Sequence, residues 1–368
     1  MNAESDRARH MDTLARVLIP AYCANHHQAD REHIRGNLRY VALLNRTQWE
    51  EFLELANSNH VVMRAVAVLQ NAATVIGDNE LAERCTTALA AERARIEHAV
   101  GFLQRICQAL ESHGCEVAVI KSLDHWPDFG SDLDLYTTAD HDAVQEVMRR
   151  NFNACWVARS WGDHLANKWN FKVPGLPELV EIHVRFLGQA GEHEMLARRI
   201  IERRIERAAG SQQFYVPAPE ERLVISALQR VYRHFYFRLC DMIDAALLLR
   251  TEPVDFNELR KATSAAGIWP GVATFLCLIR NYIEAYGGSM NLPQEITVSA
   301  QRAQSRVRFK HQFLRMSTFS AAGLYGSQLL QAGLHRDLRA LARLPLLPPL
   351  AASALVAERL TGNDKGIW

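Results

Sequence analysis

Two short alternating stretches constrain the fold of this chain more than any other feature. In the first, Asp132 and Asp134 flank Leu133, and in the second, residues 179–186, an apolar row alternates with a polar row that includes Glu181. Side chains alternate across a β-strand, so the pattern predicts two strands with each polar row on one face. If these strands are neighbours in a sheet, we expect Glu181 to lie beside the two aspartates.

Three converging carboxylates need a compensating cation, because burying bare charges is costly. Hard oxygen ligands favour Mg²⁺, which a few carboxylates bind together with substrate phosphates and water. The sequence therefore predicts a polymerase-type metal site in which Asp132, Asp134 and Glu181 are both metal ligands and catalytic residues. An Asp-x-Asp pair alone is common by chance, so solvated surface acids are the alternative interpretation.

The rest of the chain predicts an α+β protein in which a small mixed sheet is flanked by helical regions. Apolar residues at three- and four-residue spacing predict helices throughout residues 1–112. Residues 113–212 are expected to form the sheet-containing core, with strands at 117–120, 132–137, 155–158, 169–173 and 179–186. Helical spacing then predicts a helix at 192–209, a helical bundle at 213–296, and a basic helical tail at 297–368 that stays helical over 297–344.

Composition excludes several classes of protein. Hydrophobic residues make up 48% of the chain and charged residues 23%, which argues against disorder, and the net charge of +1 favours neither nucleic acid nor membrane for the chain as a whole. The seven cysteines are scattered without a Cys-x-x-Cys pair, which argues against a disulfide framework and against a cysteine-ligated zinc site. With no secretory signal at the N-terminus, the cysteines are expected to be reduced thiols of a cytoplasmic protein. No apolar run reaches the roughly 18 residues that span a bilayer.

The motifs around the aspartates resemble those of the DNA polymerase β-type nucleotidyltransferase superfamily, and specifically its bacterial branch of uncharacterised nucleotidyltransferases. Members of that branch typically have a strand that ends in Lys-Gly, then an Asp-x-Asp-Leu strand, then a Glu-x-His strand. Here Lys121-Ser122, residues 132–135 and residues 181–183 are similar to these three motifs, and the resemblance covers about residues 90–250. Serine replaces the usual glycine at Ser122.

That resemblance implies transfer of a nucleoside monophosphate from an NTP such as ATP to an acceptor hydroxyl, with release of pyrophosphate. It implies Mg²⁺ at the three carboxylates, with Glu181 as a candidate general base and Lys121 offsetting triphosphate charge. The candidate nucleotide-binding residues are Lys121, Ser122, Gly130, Ser131 and His183. Whether Lys121-Ser122 or Gly130-Ser131 holds the triphosphate stays open, because a loop glycine lets backbone N–H groups approach a phosphate closely.

The acceptor also stays open between RNA, a protein hydroxyl and a small molecule. Basic residues are concentrated in residues 302–343, and this segment is a candidate contact for a polyanion or an anionic membrane, with a solvated arginine-rich face as the alternative. A different class of function is a degenerate, non-catalytic module that binds a partner protein, nucleic acid or a membrane surface.

Several further residues have more than one interpretation. One of four tryptophans near the core is a candidate platform for a nucleobase, although core packing is the commoner role for such residues (Trp126, Trp156, Trp161 and Trp169). His234 and Asp244 are interpreted as core-lining or interdomain polar contacts. His183 is interpreted either as a group that orients Glu181 or contacts the acceptor, or as a hydrogen-bonded structural histidine.

Overall fold

A five-stranded mixed sheet lies in the middle of the chain, with helices before and after it in sequence. The computed structural model describes residues 3–24, 31–188, 194–300, 306–310 and 312–361. The protein is α+β, as the sequence predicts. No helix among these residues is long and apolar enough to cross a membrane.

The N-terminal residues that the structure describes form five helices, in agreement with their apolar spacing. These are α1 Ala3–Cys23, α2 Arg31–Ala42, α3 Arg46–Ser58, α4 Val62–Ile76 and α5 Asn79–Ser112. Helix α3 begins at a capping box in which the Asn45 side chain accepts from the Gln48 N–H and the Gln48 side chain accepts from the Asn45 N–H. Helix α4 ends at Gly77, whose φ of 77° is the left-handed conformation that glycine adopts most readily.

The central sheet has the strand order β1-β2-β5-β4-β3. Its strands are β1 Val117–Val119, β2 Asp132–Thr137, β3 Cys155–Trp156, β4 Lys168–Lys172 and β5 Leu179–Val184. Strands β2 and β5 are parallel neighbours, and the other pairs are antiparallel. Helix α6 His141–Phe152 and the short helix α7 Trp161–Leu165 lie between these strands in sequence.

The alternation in β2 and β5 separates an apolar face from a polar one. Leu133 and Leu135 of β2 and Val180 and Ile182 of β5 are fully buried in the core. The intervening acids therefore lie on the opposite face, as side-chain alternation requires. The predicted site residues on these strands consequently share one face of the sheet, and the other face packs against the core.

The helix predicted over residues 192–209 is wrong beyond its first part. Helix α8 Glu194–Glu202 is followed by a hairpin of β6 Ile205–Ala209 and β7 Gln212–Val216. The turn residue Gly210 has a φ of 63°, a conformation typical of tight hairpins. Phe214 and Val216 are buried, so the hairpin gains core packing that an isolated charged helix would not provide.

The C-terminal half is mainly helical. Its elements are α9 Pro219–Ala227, a π-helical turn Leu228–His234, β8 Tyr236–Phe237, α10 Leu239–Thr251, α11 Phe256–Ala265, α12 Trp269–Ala285, α13 Gln294–Ser299, β9 Arg308–Lys310, β10 Phe313–Arg315, α14 Thr318–Leu334, α15 Leu338–Arg343, a 3₁₀ turn Leu344–Leu346 and α16 Leu347–Thr361.

The continuous helix predicted over residues 297–344 is also wrong, because β9 and β10 interrupt it. These strands join β8 in a three-stranded sheet of order β8-β10-β9. Tyr236 of β8 stacks on Phe313 of β10 with ring centroids 4.2 Å apart. The pairing partner of this hairpin is some 80 residues earlier in the chain, and local spacing does not reveal such a partner.

Candidate active site

A polar cleft lies between the acidic face of β2 and β5 and the segment that runs from the π-helical turn to the start of α10. It encloses a cavity of about 170 Å³ that is open to solvent. Its lining residues are His60, Lys121, Ser122, His125, Gly130, Ser131, Asp132, Asp134, Lys168, Glu181, Gln229, Arg230, Arg233, His234, Tyr236 and Arg238.

The three predicted carboxylates meet in this cleft. Asp134 is the direct Cα partner of Glu181 in the parallel β2–β5 pairing, and Asp132 is two residues earlier on the same face. Ligand atoms of Asp134, Glu181 and His183 all lie within 4.8 Å of one another. Asp132 accepts a hydrogen bond of 3.1 Å from the Ser131 hydroxyl. The acids are therefore not unrelated surface groups, although their part in a reaction stays a prediction.

Two lysines lie against these carboxylates. Lys121 Nζ forms an ion pair with Asp134 Oδ1, and Lys168 Nζ lies 2.9 Å from Glu181 Oε1 and 3.0 Å from Asp163 Oδ1. Sequence reasoning missed Lys168. The signal was present in the alternation of β4, where Lys168 and Asn170 share the polar face, but only the sheet order places that face beside Glu181.

The neighbouring charges shift the pKa values of the three acids in different directions. Burial raises the pKa of Asp134 to about 6, with Glu181 and Asp132 adding to the rise and Lys121 opposing it. Burial and then Glu181 also raise the pKa of Asp132. Burial alone would raise the pKa of Glu181 too, but Lys168 and Lys121 outweigh it and hold that pKa below its ordinary value. Glu181 is therefore the acid that stays ionised most readily.

The Lys121-Ser122 turn is built by backbone contacts. Lys121 has a φ of 62°, and the Ser122 N–H donates to the Ile120 carbonyl at 2.6 Å. The Ser122 hydroxyl donates to the Asp132 carbonyl at 3.1 Å and accepts from the Asp134 N–H at 2.8 Å. Because Ser122 is buried and its hydroxyl bridges two backbone groups of β2, this side chain stabilises the position of the aspartates.

The Gly130-Ser131 loop lies on the open side of the cleft. A Cβ atom at Gly130 would lie 3.0 Å from Cε1 of His60, so glycine allows the imidazole to pack against this backbone. Arg95 donates to the Gly130 carbonyl at 3.2 Å and to Glu178 at 2.8 Å, which holds the loop against α5. Ser131 is exposed beside Asp132 and has its hydroxyl at the rim of the cleft.

His183 follows Glu181 on the same face of β5 and is buried. Its Nε2 lies 3.9 Å from Asp134 Oδ1, and neither ring nitrogen has a hydrogen-bond partner among the residues that the structure describes. Burial, followed by Lys121, Lys168 and Arg233, lowers the pKa of His183 well below its usual range. The ring is therefore neutral, with a lone pair available beside the acids.

The wall opposite the carboxylates is cationic. Arg230 is buried with its Nε 2.7 Å from Asp241, while the Nε atoms of Arg233 and Arg238 have no hydrogen-bond partner within the described part of the chain. π-Helical turns are rare and occur often at functional sites, and this one places Arg230 and Arg233 in the cleft. His234 also lines the cleft, and burial with three neighbouring arginines lowers its pKa well below the usual value. Sequence reasoning gave Arg230 and Arg233 of this wall no role.

The tryptophans and the basic tail contribute less to this cleft than their sequence suggests. Trp169 stacks on His141 with ring centroids 4.7 Å apart, and the cleft residues named above include no tryptophan. In the tail, Arg343 donates to the Leu165 carbonyl at 3.1 Å and Arg339 packs over the Phe186 ring. Arg302 lies outside the described residues. Binding of a polyanion or a membrane by this segment stays a prediction.

Comparison with known proteins places these features in a family. A family described as "uncharacterised nucleotidyltransferase" matches residues 45–284, which is more than half of the chain. No curated protein matches the sequence. Among solved structures, the crystal structure of an antigenic nucleotidyltransferase-like protein from Paracoccidioides brasiliensis is similar at 15% identity with a TM-score of 0.34. That similarity covers 53% of this chain and 95% of the other.

Proposed function

This chain belongs to the family of uncharacterised nucleotidyltransferases, and from that premise we propose that it transfers a nucleoside monophosphate from an NTP to an acceptor hydroxyl with release of pyrophosphate. The observation that carries the proposal is the direct pairing of Asp134 with Glu181 at a cleft whose other wall presents arginines. Acidic residues on one side and cations on the other suit a metal-bound triphosphate.

The residues present fit Mg²⁺. Asp132, Asp134 and Glu181 offer hard carboxylate oxygens, and two of the three already attract ammonium groups in this structure. The neutral His183 leaves the space beside Asp134 free of additional charge. Bound there, the ion supplies charge stabilisation at the transferring phosphoryl group and lowers the pKa of the attacking hydroxyl.

The protein groups have separate parts in this proposal. Glu181, which lies directly beside Asp134 at the cleft, accepts the proton of the acceptor hydroxyl. Lys121, Arg233 and Arg238 bind the triphosphate oxygens with charge-assisted hydrogen bonds. The rim hydroxyl of Ser131 is better placed than the bridged hydroxyl of Ser122 to contact a phosphate, so we assign the triphosphate loop to Gly130-Ser131.

A second, largely apolar pocket adjoins the cleft and shares Lys121, Gln229 and Arg233 with it. Its far side is formed by Leu344 and Leu347 of the C-terminal segment. Because it opens from the same residues, we assign it to the apolar part of a substrate, either the nucleobase or the acceptor. The acceptor class, whether RNA, protein or a small molecule, is what the experiment below must decide.

One observation favours a second candidate function. Lys121 and Lys168 lie against Asp134 and Glu181, so two of the three acids have a cationic partner from the chain itself. A degenerate module that binds a partner protein, nucleic acid or a membrane surface would need nothing more. The metal-dependent enzyme requires instead that a divalent ion compete with these ammonium groups.

The discriminating experiment follows label from α-³²P-labelled NTPs, in turn, into the acceptor. The protein is incubated with Mg²⁺ alone, with purified tRNA and with total cell extract, and Asp134→Asn is run beside the exposed-surface control Asp142→Asn. We expect the wild type and the control variant to transfer label to one acceptor class, and Asp134→Asn to transfer none. If neither the wild type nor the control variant transfers label, and calorimetry detects no NTP binding, the protein is the non-catalytic binding module instead of an enzyme.

A further inference from the structure

A second cluster of metal-ligand side chains lies on the same cleft, away from the carboxylates. It consists of His60 at the α3–α4 junction, His125 in the loop after β1, and Cys240 in the first turn of α10. One ligand atom from each lies within 4.8 Å of the other two. His125 Nε2 is 3.9 Å from Cys240 Sγ, and the two imidazole rings are 5.1 Å apart, edge to face. The cluster shares no residue with the acidic site.

His125 is oriented as a metal ligand would be. Its Nδ1 lies 2.5 Å from Asp244 Oδ2, so Nδ1 carries a hydrogen, and Nε2 is the ring atom that faces Cys240 Sγ. A carboxylate behind the distal nitrogen is the usual support of a metal-binding histidine. Asp244 is itself held by Arg64, which also bonds Asp128 at 2.6 Å. The orientation of the ring is thus set by a buried ion-pair network.

His60 brings an unpaired imidazole to the cluster. The residue is 9% exposed, and its Nδ1 has no hydrogen-bond partner among the described residues. A buried polar atom without a partner costs about 1–3 kcal/mol, so the ring is expected to have a partner in its working state. The missing Cβ of Gly130 is what lets this ring approach the cleft, since a methyl group there would lie 3.0 Å from it.

The charges around the cluster leave room for a cation. Asp128 and Asp244 share the single charge of Arg64, and Asp241 is paired with Arg230. The guanidinium groups of Arg64, Arg230 and Arg238 balance these three carboxylates. Cys240 would bind a cation as a thiolate, and that thiolate would supply the negative charge that the cation meets.

We propose that His60, His125 and Cys240 bind one borderline-soft divalent cation of the Zn²⁺ type. Two imidazoles and one thiolate form a donor set that selects zinc-like ions over Mg²⁺. Three protein ligands leave a fourth tetrahedral position, and because His60 and His125 line the cleft, that position opens toward the bound substrate or water. The ion would also join α3–α4, the loop after β1 and α10 at one point.

The proposed site differs from what cysteine spacing predicts. The absence of a Cys-x-x-Cys pair argued against a cysteine-ligated zinc site, but here a single cysteine joins histidines from distant segments. His125 and Cys240 are 115 residues apart in the chain. Spacing rules detect ligands that share one turn or hairpin, so they do not detect this arrangement.

The test is the metal content of the full-length protein, purified without a polyhistidine tag and incubated with Zn²⁺ before gel filtration. We expect about one equivalent of zinc per chain, falling at least tenfold in Cys240→Ala and in His125→Ala. The matched control is Cys85→Ala, which removes another buried helical cysteine and should retain the ion. Asp134→Asn should also retain it, because the acidic site is separate.

Cobalt provides a second readout that does not depend on activity. Co²⁺ bound to the wild-type protein should show a thiolate charge-transfer absorption band that Cys240→Ala abolishes and Cys85→Ala preserves. If Cys240→Ala does not fold, loss of the ion from His60→Ala, whose ring lines the cleft, supports the site instead. Wild-type protein that binds neither ion at stoichiometric levels would overturn the proposal and leave a metal-free Cys240–His125 pair. Retention of zinc by both Cys240→Ala and His60→Ala would overturn it as well.

Discussion

Lys168 Nζ lies 2.9 Å from Glu181 Oε1 and, on its other side, 3.0 Å from Asp163 Oδ1, and all three side chains are largely buried. Burial alone would lower the pKa of Lys168, but these two carboxylates outweigh it and raise that pKa. The lysine therefore stays charged and fixes Glu181 at the cleft. Several consequences of this electrostatic arrangement can be measured.

Replacing Lys168 by methionine should destabilise the protein strongly. The substitution keeps the length of the side chain but leaves Asp163 and Glu181 as buried carboxylates without their cation, which costs about 3–5 kcal/mol in comparable pairs. Urea unfolding of Lys168→Met measures the loss. Adding Asp163→Asn to that variant should restore part of it, and a double variant less stable than Lys168→Met would contradict the ion-pair assignment.

Asp134→Asn should abolish nucleotidyl transfer while preserving the fold. It removes one anionic ligand from the predicted metal site and its ion pair with Lys121, so we expect a decrease of at least about 100-fold in kcat/KM. Asp132→Asn should act in the same direction. Transfer assays and circular dichroism are compared with Asp142→Asn. Near-normal activity in both cleft variants would show that these carboxylates take no part in the reaction.

The stability of two asparagine variants should change in opposite directions at pH 7. The pKa of Asp134 is raised to about 6, so its stabilising contribution is present below the unfolded value near 3.8 and is lost as the pH rises through 6. The free energy of unfolding of Asp134→Asn, relative to the wild type, should therefore be roughly 1–3 kcal/mol higher at pH 7 than at pH 4. The difference should lie toward the low end of that range because Lys121 loses its partner.

Asp163→Asn is the matched opposite case. Burial alone would raise the pKa of Asp163, but Lys168 and hydrogen bonds from Ser160 outweigh it and lower that pKa. Its contribution is then present above the unfolded pKa and is lost only as the pH falls through the folded one. Asp163→Asn should melt below the wild type at pH 7, whereas Asp134→Asn should not. Thermal unfolding of both variants in one buffer series measures the two signs.

Arg233→Gln should weaken NTP binding without unfolding the protein. Its Nε has no hydrogen-bond partner among the described residues, and the side chain lines the cationic wall of the cleft. Loss of a charge-assisted hydrogen bond to phosphate should raise the Kd for a non-hydrolysable NTP by about 10-fold or more. Calorimetry compares it with Arg149→Gln, an exposed arginine on α6. Equal affinities in the two variants would place the triphosphate elsewhere.

Two serine variants should separate the roles of the candidate phosphate loops. Ser122→Ala loses hydrogen bonds to the Asp132 carbonyl and the Asp134 N–H, so we expect a stability loss of about 1–2 kcal/mol. Ser131→Ala, at the exposed rim, should keep its stability and bind NTP several-fold more weakly. The reverse pattern would assign the triphosphate to Lys121-Ser122.

Local alternation was enough to predict much of the acidic site. Asp132, Asp134 and Glu181 were assigned to one face because a strand repeats every two residues, and the five strands of the central sheet lie where the sequence predicts them. The error over residues 192–209 has a physical reason. Residues 203–209 fit a helix by spacing, and they form β6 because Phe214 and Val216 of the paired strand gain burial in the core.

The sequence by itself determined the polar and apolar faces of β2 and β5, because side-chain alternation is a property of the strand alone. Only the tertiary structure decided which groups face those acids. Lys168 reaches Glu181 through the pairing of β4 with β5, and Arg233 reaches the cleft through a π-helical turn. His60, His125 and Cys240 meet only where three distant segments pack together. Long-range contacts follow from burying apolar surface between elements, so no local pattern in the chain encodes them.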